Sequence, residues 1–160
     1  MKFSVQLIVI VLLAVTTILL VKLYWPLADN IKKSDIIIPL ASVNKCYLPD
    51  AKCLFSAGNK KVEIKFSGNV QTMKTFKLLA RLSGFNSEVE EVVVDFSMQS
   101  MQMGVNYFRL VKNSKTGIPG VWQTPVLLPV CASRRTDWLM NFTVKSGSKI
   151  YKVVTPLTIR

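Results

Sequence analysis

The sequence predicts an all-β domain, an immunoglobulin-like β-sandwich of about seven strands, carried behind one N-terminal transmembrane helix. Three features predict it. No charge falls between Phe3 and Val21, apolar residues alternate with polar ones along most of the chain after Val62, and turn-forming glycines separate the alternating runs. The implied division is an anchor at 1–25, a linker at 26–44 and the sandwich at 45–160.

The anchor comes first. As a helix, Phe3 to Val21 would extend roughly 28 Å, close to the ~30 Å apolar core of a bilayer. Lys22 can snorkel, Tyr24 and Trp25 suit the interface, and Pro26 ends the helix. A cleaved signal peptide is the competing reading. Its apolar region is usually shorter, about 7–15 residues, and Pro26-Leu27-Ala28 matches its cleavage site poorly. Lys2 and the free amine favour a cytoplasmic N-terminus, whereas Lys22, Lys32 and Lys33 pull the other way.

Residues 26–44 carry two prolines and no strong period, as expected of a linker that joins a first edge strand. Cys46 and Cys53 then bracket a turn signal, Pro49-Asp50. Strand–turn–strand geometry would let these two thiols close a disulfide, which belongs in an oxidising space such as a bacterial periplasm. Two reduced cysteines, or pairing of either with Cys131, are the alternatives. At least one of the three thiols has no partner within the chain.

The strands follow. Val62, Ile64 and Phe66 alternate with Glu63 and Lys65; Phe76, Leu78, Ala80 and Leu82 alternate with Lys77 and Arg81. Val92, Val94 and Phe96 form a third run, Phe108 and Leu110 a fourth, and Trp138, Met140, Phe142 and Val144 a fifth, before the β-branched run from Ile150. Gly58, Gly68, Gly84, Gly117, Gly120 and Gly147 punctuate them, and no long amphipathic helix follows residue 25.

The net charge is +12 and there is no histidine. Many hydrolases and most zinc enzymes are thereby disfavoured, because the commonest general base and metal ligand is missing. The basic residues are scattered, without interleaved aromatics or a nucleic-acid motif, so no nucleic-acid partner is expected. They read as a solvated surface, or as a surface drawn to anionic headgroups near the tether.

Two segments could carry chemistry. In Asp95 to Leu110, Met98 shares the inward parity of Val92, Val94 and Phe96, while Met101 and Met103 have the opposite parity. A bulge or turn at Gln99-Ser100 would let the three thioethers converge as a soft site for Cu(I), with Cys131 as a fourth donor. Methionine as flexible core filler is the plainer alternative. In Gly120 to Trp138, Pro125 and Pro129 suggest an edge strand and a loop. Arg134 and Arg135 would favour a Cys131 thiolate, and Asp137 would pair with one of them. A thiol-redox enzyme is set aside, for there is neither a C-x-x-C motif nor a nearby base. Trp122 and Trp138 read as core plugs.

The membrane helix, the small sandwich, M-x-x-M-x-M-G before an aromatic strand, G-x-W and a late tryptophan strand together resemble the FixH/YtkA-like group of bacterial envelope proteins. The resemblance covers the anchor and roughly Val92 to Val144. It implies an accessory factor for copper handling or respiratory oxidase assembly, anchored in the inner membrane with its C-terminal domain in the periplasm. It also implies Met98, Met101 and Met103 as copper ligands and a membrane protein complex as partner. No enzyme activity is expected, and a metal-free adaptor docking an envelope partner is the second expectation.

Overall fold

The computed structural model describes residues 12–22, 35–85, 89–98, 106–114, 118–130 and 136–159. The chain divides into two compact units, Met1–Ser34 and Asp35–Arg160. In the first, residues 12–22 are helical and expose Leu12, Leu13, Val15, Ile18, Leu19, Leu20 and Val21. The Thr16 hydroxyl donates to the carbonyl of Leu13 at 2.9 Å and that of Thr17 to Ala14 at 2.9 Å, so both are satisfied inside the helix. Among the described residues no helix is long and apolar enough to cross a membrane.

The second unit is an all-β sandwich. Its strands are β1 (Ile36–Pro39), β2 (Ala41–Ser42), β3 (Cys53–Ala57), β4 (Lys60–Ser67), β5 (Thr75–Ser83), β6 (Val89–Met98), β7 (Tyr107–Arg109), β8 (Val111–Lys112), β9 (Val121–Leu127), β10 (Asp137–Ser146) and β11 (Lys149–Thr158). One sheet has the order β1-β11-β10-β6-β7 and the other β2-β3-β4-β5-β9-β8. All pairings between these strands are antiparallel except β1 with β11.

The alternation explains the packing. Val62 and Ile64 of β4, Phe76, Leu78 and Ala80 of β5, and Val92, Val94, Phe96 and Met98 of β6 are all buried. They meet Trp138, Met140, Phe142 and Val144 of β10 in one core, with Leu128, Leu157 and Ile159. Each such side chain contributes about 1.5–3 kcal/mol of burial, opposed by the cost of ordering it. Trp138 is a core plug as expected; Trp122 is half-buried and packs against the core from its edge.

Two buried leucines close the flanks of the sandwich. Between β1 and β2 the chain leaves one sheet for the other at Leu40, whose amide donates to the Lys152 carbonyl at 2.8 Å. Between β7 and β8 it makes the same transfer at Leu110, whose amide donates to Val92 at 2.8 Å. Each lateral edge is therefore a short strand that belongs to both sheets in turn, an arrangement that leaves little continuous edge for foreign strands.

Two expectations change. About seven strands were expected and the described residues form eleven, because each sheet-switching segment counts twice and β3 precedes the first clear alternation. The segment at 26–44 enters the domain from Ile36 onward instead of serving throughout as a linker. Its run of isoleucines has no period because only one short stretch of it pairs with β11 before Leu40 turns it toward β3.

The sandwich has two poles, about 33 Å apart along the ten-residue strands β6, β10 and β11. The chain enters at one, where the Ile36 amide donates to Ser148 at 2.9 Å in the β10–β11 hairpin. This near pole is capped by Phe85, edge-on to Tyr151 at 5.1 Å and lying 5.3 Å from the Lys60 ammonium. At the opposite, far pole, β6, β9 and β11 end and β3, β5 and β10 begin.

Candidate functional site

The far pole holds the residues singled out by chemistry. β6 ends at Met98, which stands opposite Trp138 of β10; Trp138 stands opposite Leu157 of β11, and Leu157 bridges to Leu48. This row crosses the sheet near the end of the core, one layer before Ile159, with Met98 3% and Leu48 4% exposed. The Trp138 Nε1–H is buried there with no hydrogen-bond acceptor among the described residues. Such a group loses its hydration without replacement, at a cost of about 1–3 kcal/mol.

Leu48 belongs to a loop tied by the Cys46–Cys53 disulfide, whose Cα atoms are 5.5 Å apart. Cys53 starts β3 and is fully buried, so the bond fixes the loop onto the sheet. The Leu48–Pro49 peptide is cis. Beside the loop lies an open cleft of about 920 Å³, lined by residues 42–50 and by Thr155, Pro156 and Thr158. A second recess of about 460 Å³, walled by Phe66 and residues 68–71, shares Pro49, Asp50 and Thr158 with it. Tyr47 projects from the rim, 78% exposed.

Of the predicted copper donors, Met98 is placed in this core layer. Met101, Met103 and Cys131 lie outside the described residues, as do the bend expected at Gln99-Ser100 and the arginines Arg134 and Arg135. Their neighbours are placed. Asn106 returns the chain from the methionine segment, donating from its side chain to the Phe96 carbonyl at 3.3 Å and accepting the Phe96 amide at 3.0 Å. The Thr136 carbonyl, next after the Cys131 segment, accepts the Ile159 amide at 3.2 Å. Both sulfur-bearing segments therefore leave and rejoin the sandwich at the far pole. Among the described residues no three His, Cys, Asp or Glu side chains cluster as a metal site. Met98 is the described member of the expected thioether and thiol set, a donor type that suits Cu(I) better than hard cations.

The sequence reading missed the cleft around Tyr47 and Pro49. Pro49-Asp50 signalled a turn, but its position beside Thr158 depends on the parallel bridge to Leu157, a contact with no local signature.

The outer faces of the two sheets differ. On the five-stranded sheet, Arg109 meets Glu91 at 2.6 Å and Lys145 lies 3.8 Å from Glu90. Hydrogen bonding with Tyr107 and the charge of Glu91 both raise the pKa of Arg109. Asn141 donates to Asp95 at 3.4 Å and to Ser97 at 3.2 Å.

Comparison with protein-family models, with curated proteins and with solved structures gave no match.

Proposed function

We propose that this protein is a membrane-tethered accessory factor of the FixH/YtkA-like kind, with an immunoglobulin-like domain on the periplasmic side of a bacterial inner membrane. It has no catalytic role. It holds Cu(I) transiently through Met98, Met101, Met103 and Cys131, in copper handling or respiratory oxidase assembly. The tether rests on the uncharged run from Phe3 to Val21 and on the apolar, internally hydrogen-bonded character of residues 12–22. A disulfide between Cys46 and Cys53 favours an oxidising compartment. The copper reading is carried by one observation: Met98 lies at the same pole where the described strands flanking the segments that bear the other three sulfurs end or begin. Anchoring would raise the local concentration of such a carrier near a membrane complex.

A Cu(I) titration of the full chain against a competing chelator tests it. Wild type should bind with an affinity that the Met98→Ala, Met101→Ala, Met103→Ala triple variant loses by at least about tenfold. Equal binding would end the copper reading.

A metal-free adaptor is the second reading, favoured by the seclusion of Met98 and by the open cleft beside the disulfide loop. Recovery of a membrane partner that survives the triple methionine variant but fails on Tyr47→Ala would favour it.

A further inference from the structure

The basic residues that look scattered in sequence are sorted by the fold. The outer face of the six-stranded sheet carries Lys61 and Lys65 on β4 and Lys77 and Arg81 on β5, all exposed, against a single carboxylate, Glu63. Glu63 is engaged by Lys52, 3.6 Å away, which adds another positive charge to this face. Among the described residues Lys61, Lys65, Lys77 and Arg81 form no ion pair, in contrast to Arg109 and Lys145 on the opposite sheet. Between the charges lies a recess of about 300 Å³ with Leu79, Ile118 and Val121 in its wall and Lys65 and Arg81 beside them. Leu127 and Val111, 45% and 60% exposed, continue the apolar surface along β9 and β8.

Unpaired cations interleaved with exposed aliphatic side chains are the chemistry of a surface that lies on anionic headgroups. We propose that the outer face of the six-stranded sheet rests against an anionic phospholipid surface. This rests on the tether reading, which supplies the proximity; charge complementarity selects the face. The five-stranded sheet, where carboxylates engage Arg109 and Lys145 and leave Lys149 and Lys152 without an ion pair among the described residues, carries the weaker positive charge and faces away from the lipid.

Amine-reactive footprinting of the full chain tests this, with the protein reconstituted in phosphatidylcholine vesicles with or without phosphatidylglycerol and each lysine followed by mass spectrometry. Lys61, Lys65 and Lys77 should react roughly fivefold more slowly on the anionic vesicles, in a manner reversed by salt. Lys149 and Lys152 of β11 should be unchanged. Equal rates on both vesicle types overturn the proposal, as does equal protection of both lysine sets. Protection that needs native membranes and is missing on protein-free anionic vesicles also overturns it, in favour of an acidic protein. Release of the chain from neutral vesicles by carbonate would instead contradict the tether alone, and the difference between the lysine sets would still judge the face.

Discussion

Met98 and Trp138 stand directly opposite each other on β6 and β10 toward the far pole, and both are buried. A thioether at the end of a core layer can serve as packing or as a soft ligand, and substitutions separate the two. Met98→Ala should cost about 2–5 kcal/mol in urea unfolding, by lost burial and the cavity left behind. Met98→Leu keeps the volume and should cost less than about 1.5 kcal/mol. If Met98 also serves copper, the leucine variant is stable yet binds Cu(I) more weakly; unchanged binding assigns Met98 to packing alone.

The Cys46–Cys53 bond closes a short loop, with a sequence separation of 7. Loop entropy gives such a ring roughly 2.5 kcal/mol. The Cys46→Ser, Cys53→Ser double variant should lose about that much in unfolding free energy, and a reducing agent should destabilise wild type by a similar amount while leaving the variant unaffected.

Gly84 and Gly58 both adopt positive φ, +78° and +59°, but only one is enclosed. A Cβ on Gly84 would lie 2.1 Å from the Asn59 carbonyl oxygen, whereas one on Gly58 meets nothing within 4 Å. Gly58→Ala should cost about 1–2 kcal/mol, the ordinary left-handed penalty. Gly84→Ala should exceed it by at least about 1 kcal/mol in the same denaturation measurement, since backbone must move.

Leu110 is 2% exposed at the point where one lateral edge passes between sheets. Leu110→Ala should cost about 2–5 kcal/mol. Hydrogen exchange should locate the loosening in the short strands β7 and β8, with the central pair β6–β10 retaining its protection.

Much of the fold was legible because burial imposes a period of two. The parity of Val92, Val94, Phe96 and Met98 placed all four inward, and all four are buried. The sheet-switching strands were not legible. Leu40 and Leu110 are single apolar residues between two- to four-residue strands, too short for a period to register. The basic face was equally hidden: Lys61 and Lys65 alternate on one strand and Lys77 and Arg81 on the next, and only the pairing of β4 with β5 makes them one surface. For the candidate site, sequence placed Met98 on β6 but had no means of setting it against Trp138, a long-range pairing.

X-ray absorption at the copper edge, on the full chain loaded with Cu(I), bears most directly on the proposed sulfur ligation. Sulfur-only coordination that loses scatterers in the triple methionine variant and again in Cys131→Ser is the predicted result. Coordination by nitrogen or oxygen, or spectra identical across wild type and variants, would contradict it.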